Sequence, residues 1–350
     1  MSDAPRILFV CNAGAQVGGG HVMRSLTLAE ALADRGAACR FLAPPPVAAI
    51  LDAFAPRMAR APAASTAPDD LIAAAAGLAA DAVVFDHYGL AAPEHRRIAA
   101  GRPALAIDDL ADRPLDAALV LDSGPARSAR DYAGLLPPGA QVLAGPAFAP
   151  VRPAFAALRA EALARRPAPV RRVLVSLGLT DVGAVTARLV ERLQPLLGAR
   201  EADVVVGAAA PSLPRLRALA AADPRLRLHV DATDMARLTL DADLAVGAAG
   251  STTWERCVLA LPSLLVVLAD NQRAAARAMD EAGAALMLEA DAMDFDQAFA
   301  AALRRLLDDQ ALRARLAQRS AEVCDGLGAP RVAAALLALI AGCDTSSGQP

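Results

Sequence analysis

Short, almost unbroken apolar runs alternate along the chain with longer stretches whose apolar residues recur every three or four positions. The first kind predicts buried strands, the second helices. Strands are expected at residues 7–11, 40–43, 82–85, 105–107, 118–121 and 142–143. The stretch 22–33 places Val22, Leu26, Ala29 and Ala33 at the spacing of one buried helix face. Apolar strands alternating with helices specify a parallel sheet covered on both faces. Residues 160–172 break the pattern with Arg165, Arg166, Pro167, Pro169, Arg171 and Arg172, which reads as a connector. A second series follows, with strands at 173–177, 204–206, 226–230, 244–246, 264–268 and 285–288. Closing helices are expected at 297–325 and 330–340, and residues 59–67 read as a loop. The expected architecture is α/β, with two Rossmann-like domains whose parallel sheets face across a cleft. Their spans are 1–160 and 170–343, with a disordered tail at 344–350.

Composition narrows the function. A chain of 350 residues suits two domains. Hydrophobic residues make up 55% but aromatics only 3%, so much of the apolar share is alanine in helices. No apolar run of about 18 residues or more is unbroken; the longest candidate, 244–269, is cut by Glu255 and Arg256. The first residues, Met1 to Arg6, lack the basic and apolar segments of a signal peptide. A net charge of −3 gives no reason to expect nucleic acid or an anionic membrane as partner. Five cysteines without a C-x-x-C pair argue against a disulfide framework or zinc site and fit a reducing cytoplasm. All 35 basic residues are arginine, so lysine Schiff-base chemistry and a Walker-A loop are excluded. A monomer without metal or cofactor is expected.

Several polar turns follow predicted strands, where open α/β sheets place their ligands. Strand 7–11 ends in Asn12-Ala13-Gly14-Ala15-Gln16-Val17-Gly18-Gly19-Gly20-His21, and a helix begins at once. Such a turn offers free N–H groups and the positive end of a helix dipole. Gly18 and Gly20 let backbone approach a ligand closely. His21, at the mouth, could take a proton from water; a helix-start histidine without chemistry fits equally well. Asp86-His87-Tyr88 and Asp108-Asp109 occupy corresponding positions, where ordinary loop or capping roles also fit. In the second series, strand 244–246 runs into Gly247-Ala248-Ala249-Gly250-Ser251-Thr252-Thr253-Trp254-Glu255. Gly250, Ser251 and Thr252 could cradle a diphosphate and Glu255 accept ribose hydroxyls; a helix cap is the alternative. Gly178 lies in the matching turn after strand 173–177. Asn271 and Gln272 offer amides suited to hydroxyl and acetamido groups, or simply begin a helix.

One family resembles this ordered series. Its members hydrolyse UDP-2,4-diacetamido-2,4,6-trideoxy-β-L-altropyranose in pseudaminic acid synthesis. They share the two-lobed glycosyltransferase-B architecture of the lipid II-forming N-acetylglucosaminyltransferase. The resemblance rests on Gly18-Gly19-Gly20-His21-Val22-Met23-Arg24, Asp86-His87-Tyr88, Ile107-Asp108-Asp109 and Leu143-Ala144-Gly145-Pro146. It continues through Ser176-Leu177-Gly178, the segment from Gly247 to Cys257, and Asn271-Gln272. It implies metal-independent, inverting hydrolysis of a UDP-sugar at the anomeric carbon. The free sugar would feed nonulosonic acid synthesis for flagellar or surface glycans. His21 would be the base or water-positioning group. Asn271 and Gln272 would hold the sugar, and Glu255 with the 250–253 turn would hold the nucleotide. Gly18, Gly20, Arg24, Tyr88, Asp109 and Gly178 would complete the substrate site. Val10 and Asn12 stand where relatives carry Arg-x-Asp, and Leu179 where they carry a second glycine. Two other readings remain: a glycosyltransferase of the same architecture, and a nucleotide-sugar-binding protein that has lost catalysis.

Overall fold

The computed structural model describes residues 4–14, 17–166 and 169–346, with side chains as far as 343. It divides into two compact units, Met1–Pro150 with Leu327–Pro350, and Val151–Gly326. The first unit runs β1 (Arg6–Cys11), α1 (Gly20–Ala33), β2 (Ala38–Ala43), α2 (Pro45–Phe54), β3 (Ala59–Pro62), α3 (Pro68–Ala75), β4 (Ala82–Asp86), α4 (Ala92–Ala99), β5 (Ala104–Ile107), β6 (Leu119–Asp122) and β7 (Gln141–Ala144). Its strands form one seven-stranded sheet in the order β3-β2-β1-β4-β5-β6-β7. Every pairing is parallel. Successive strand residues point to opposite faces. Ile7, Phe9 and Cys11 therefore join the core beneath Val22, Leu26 and Leu32, while Leu8 and Val10 join the other with Leu71 and Ile98.

The second unit runs α5 (Pro153–Arg165), β8 (Arg172–Ser176), α6 (Val185–Leu193), β9 (Glu201–Val206), α7 (Leu213–Ala222), β10 (Leu226–Val230), α8 (Met235–Asp241), β11 (Leu244–Ala248), α9 (Thr252–Val258), β12 (Ser263–Val267), α10 (Asp270–Glu281), β13 (Leu286–Glu289), α11 (Phe295–Asp308) and α12 (Gln310–Val323). Its six strands are ordered β10-β9-β8-β11-β12-β13, again all parallel. Strand order reverses between β1 and β4 in the first sheet, and between β8 and β11 in the second. Such reversals leave a crevice at the strand C-termini. The expected two parallel-sheet domains are thus present.

Three expectations need correction. The basic segment 160–172 is not a bare connector, since α5 occupies most of its first half and belongs to the second unit. Arg159 donates to the carbonyls of Val258, Ala321 and Cys324. Arg166 donates to those of Thr239, Ala242 and Leu259. These guanidinium groups satisfy carbonyls left over at the ends of α8, α9 and α12. Residues 167–168 lie outside the described residues. The segment 59–67, expected as a loop, contains β3. Pairing on one side only, with Pro62 at its end, this edge strand needs no apolar alternation to betray it.

The last helix, α13 (Gly328–Ser346), belongs to the first unit, not the second as its position in the chain suggested. Val332, Ala333, Leu336 and Ile340 join the core that holds Val22, Leu26 and Ala29 of α1. Gly328 makes this return possible, because a Cβ there would lie 2.2 Å from the Ala149 carbonyl oxygen. Of the expected tail, 344–346 are helical and 347–350 lie outside the described residues. By length and composition, Gln310–Cys343 contains the one described stretch long and apolar enough to cross a membrane. Here it is two helices, with Leu312 and Leu316 in one core and Val332 and Leu336 in the other.

His95 on α4 is 1% exposed. Its ring stacks on Phe85 at 4.0 Å, and neither ring nitrogen has a hydrogen-bond partner. Burial, with the nearby Arg113 charge, pushes its pKa down to about 4. An unfolded imidazole titrates near ~6.5. The unfolded chain therefore holds the extra proton across that window, and stability falls as pH drops through it. His95→Phe keeps a stacked ring and removes both orphans. It should raise stability near neutral pH by about 1–2 kcal/mol and remove up to about 3 kcal/mol of acid-side decline. Urea titrations at several pH values check this, and identical pH profiles for the two proteins would refute it.

Candidate functional site

The first unit's reversal point gathers the sequence-selected residues around one carboxylate. Asp86 is the last residue of β4, paired in register with Cys11 of β1, and is fully buried. His21 Nδ1 lies 2.5 Å from its Oδ1. Arg24 reaches both oxygens, from Nη2 at 2.6 Å and Nε at 2.7 Å, and Ser25 Oγ donates at 3.2 Å. These partners sit on the first two turns of α1, so that helix is moored to β4. Burial alone would raise the Asp86 pKa, but Arg24 and then His21 outweigh it and hold the carboxyl well below the usual range. Arg24 is in turn raised above its ordinary value: burial works against its charge, and Asp86 more than offsets that.

This contact fixes the histidine tautomer. An ionised carboxylate only accepts, so Nδ1 must carry the hydrogen. Arg24 Nη2, 3.3 Å from Nδ1, is then a second donor at close approach rather than a hydrogen-bond partner. Nε2 is left with its lone pair. It has no hydrogen bond among the described residues. The residue as a whole is only 6% exposed. His21 is therefore a buried residue in a polar shell at the start of α1.

The surrounding residues divide into those tied up and those presented. Arg24, expected to touch substrate, spends its guanidinium on Asp86 and on Asp109 at 3.2 Å. Tyr88 donates its hydroxyl to the other Asp109 oxygen and sets its ring edge-on to His21, centroids 4.5 Å apart. Burial, opposed by Arg24 and reinforced by Asp109, raises the Tyr88 pKa and keeps the phenol protonated. Asp108 caps its turn through Leu110 N and Ala111 N and binds Tyr132 and Arg113, the structural alternative. His87 is bound between Thr66 O and Gly89 N, also structural. In the glycine turn, Gly14 and Gly18 pair their backbones, with Gly18 at φ 84°. Gly20 is the first residue of α1. Ala15 and Gln16 lie outside the described residues. Asn12 turns its side chain onto Ala13 N, so the acid that orients His21 is Asp86 and none is needed at position 12.

The second unit's reversal point holds the other turns. Gly178, at φ 110°, follows β8. Leu179 O accepts from Gly207 N, and Asp181 caps through Thr186 and Ser212 N. Gly250, Ser251 and Thr252 are partly exposed at the end of β11. The helix they introduce, α9, is only seven residues long. Glu255 gives Oε1 to Arg152, at 2.8 and 3.0 Å, a partner that sequence reading did not identify. Asn271 and Gln272 fall in the first turn of α10, where Gln272 Oε1 accepts from Leu268 N at 3.1 Å and Asn271 is exposed. Among the described residues no group of three or more His, Cys, Asp and Glu could hold a metal.

No protein-family model matches the chain. Over 198 residues, 56% of its length, it is 26% identical to the spore coat polysaccharide biosynthesis protein SpsG of Bacillus subtilis, of which it covers 58%. Over 273 residues, 77% of the chain and 94% of the relative, it is 23% identical to the UDP-2,4-diacetamido-2,4,6-trideoxy-beta-L-altropyranose hydrolase of Campylobacter jejuni. Among solved structures, Acinetobacter baumannii MurG superposes with a TM-score of 0.65 at 19% identity, covering 95% of this chain and 99% of that one. The spinosyn rhamnosyltransferase SpnG complexed with thymidine diphosphate gives 0.66 at 18% identity, with coverage of 95% and 99%. The fold is therefore that of GT-B glycosyltransferases.

Removing the Asp86 charge should cost more than one hydrogen bond, because it leaves a buried guanidinium short of an anion. Asp86→Asn is expected to lose about 3–5 kcal/mol at neutral pH. The readout is a lower urea midpoint at unchanged slope. The native carboxyl pKa is depressed, so the parent keeps this advantage above about pH 4 and loses it below. The gap between the two proteins should narrow there.

Proposed function

We propose that the chain is a metal-independent UDP-sugar hydrolase that breaks the anomeric C–O bond, releasing UDP and a free sugar with inverted configuration. The observation that carries this reading is the Asp86–His21 pair, which presents Nε2 as a hydrogen-bond acceptor. Nε2 takes a proton from water as the water oxygen attacks C1, and Asp86 stabilises the imidazolium that forms. The C1–O bond breaks and its electrons leave with the diphosphate. UDP is a good leaving group, so the protonating acid that an ordinary glycosidase requires is unnecessary. The turn at Gly250, Ser251 and Thr252 takes the diphosphate. Glu255 takes the ribose through the carboxylate oxygen that Arg152 does not use. Gln272, its carbonyl already committed, offers N–H groups to the sugar beside Asn271. Gly18, Gly20 and Gly178 let backbone approach, while Arg24, Tyr88 and Asp109 keep the His21 shell in place. The likeness to the Campylobacter protein supports a 2,4-diacetamido-2,4,6-trideoxyhexose as the sugar and a role in making pseudaminic or a related nonulosonic acid.

A second reading, a glycosyltransferase, draws on solved relatives that are themselves named glycosyltransferases. The same Nε2 would then deprotonate an acceptor hydroxyl. Incubation with the UDP-sugar alone, followed by NMR, separates the two: the hydrolase reading expects UDP and the inverted free sugar, whereas an intact substrate favours transfer. His21→Ala should lower turnover by about 100-fold or more with UDP affinity nearly unchanged. Equal rates in mutant and parent would remove His21 from the chemistry. Glu255→Ala should weaken UDP binding about tenfold, and calorimetry showing no change would take Glu255 out of the nucleotide site.

A further inference from the structure

Arg256 has a role that neither the motifs nor the comparisons assign. It is 3% exposed, yet among the described residues no carboxylate lies within ion-pair distance of it. Its neighbour Glu255 is engaged by Arg152 instead. The guanidinium lies under the Gly247–Thr253 turn. Nη2 donates to the Ala248 carbonyl at 2.8 Å and to Thr253 Oγ1 at 3.1 Å. Nη1 donates to Thr252 Oγ1 at 3.1 Å. Nε is buried with no partner. The turn is shaped around this group, for a Cβ on Gly247 would fall 2.4 Å from Nη1. Burial pulls the Arg256 pKa down to about 10, only partly offset by Cys257 and Glu255.

A buried, unpaired cation is costly, and a sequence free to choose would replace it with an apolar side chain. Its retention beneath this turn has a chemical consequence. Each threonine oxygen that accepts from a guanidinium must direct its own hydrogen elsewhere. The Thr253 hydroxyl turns back toward the Ala248 carbonyl, at 3.5 Å, whereas Thr252 stands at the partly exposed lip. Its O–H is thereby made a donor, polarised by the charge behind it. Arg256 adds a full positive charge beneath a turn whose helix, α9, is only seven residues long.

We propose that Arg256 is a positioning residue for a diphosphate group: its guanidinium supplies the missing counter-charge from below and orients Thr252 Oγ1 to donate to the bound anion. This rests on the nucleotide-sugar reading for the ligand's identity, but not for the anion's charge. The bound anion relieves the unpaired cation, so the same residue weakens the empty protein and strengthens the complex.

The test compares the parent with Arg256→Met, near in length and uncharged. UDP and inorganic pyrophosphate are titrated by calorimetry, uridine by NMR, and the ligand-free proteins are melted. The expected result is UDP and pyrophosphate affinity lowered about 30-fold or more, as for loss of a buried counter-charge and of the donor it orients. Uridine affinity should hold and the ligand-free melting temperature should be equal or higher. Unchanged UDP affinity with a lower melting temperature would make Arg256 a structural residue and overturn the proposal. Should Arg256→Met fail to fold, Arg256→Lys carries the test: UDP and pyrophosphate must weaken while uridine holds, and a loss shared by uridine defeats the idea. If the parent binds pyrophosphate through Arg256 but cleaves no UDP-sugar, the hydrolase reading falls and this inference stands. If the parent hydrolyses the UDP-sugar and Arg256→Met binds UDP as tightly as the parent, the hydrolase reading stands and this inference falls.

Discussion

A single buried carboxylate governs the first unit. Asp86 cannot leave water as an anion unless donors replace the water, and His21, Arg24 and Ser25 supply them from one face of α1. Meeting that need fixes the rotation of α1 over the sheet, the tautomer of His21 and the direction of its remaining lone pair. It also consumes Arg24 as a ligand contact, and Arg24 in turn draws in Asp109 and, through it, Tyr88. What looks in the sequence like several separate polar motifs is one network with one anion at its centre.

Arginine does in this chain what lysine and arginine share in others. With no lysine, each cation is a rigid fork of donors rather than a mobile point charge. Arg159 and Arg166 use that geometry to close the ends of three helices at once. Arg256 differs from them in its surroundings. Arg159 and Arg166 are half-buried and donate to carbonyls alone, whereas Arg256 is buried under a glycine turn at a sheet's reversal point, where an arriving anion would complete its pairing.

Much of the architecture was legible because it depends on local pattern. Buried parallel strands need continuous apolar runs, and those runs placed twelve of the strands within a few residues. The edge strand β3 escaped because an edge position relaxes that demand. The return of α13 to the first unit escaped because a helix's apolar stripe states that it needs a partner, not which one; the core around α1 supplied it. In the basic stretch that read as a connector, Arg165 and Arg166 serve carbonyls at the ends of α8 and α9, a requirement invisible along the chain.

For the site, the ingredients were readable along the chain: a glycine turn before His21, polar residues at strand ends, and a small-residue turn before Glu255. These are local consequences of where a parallel sheet can expose backbone and side chains. The partnerships arise from folding alone. Asp86 meets His21 because β4, 65 residues on, pairs beside β1 when the strand order reverses. Glu255 is claimed by Arg152 across 103 residues of sequence. The tautomer, the burial of His21 and the unpaired charge of Arg256 follow from such meetings. A linear sequence names the charges, but their effects depend on separations in space and on the exclusion of water, which exist only after folding.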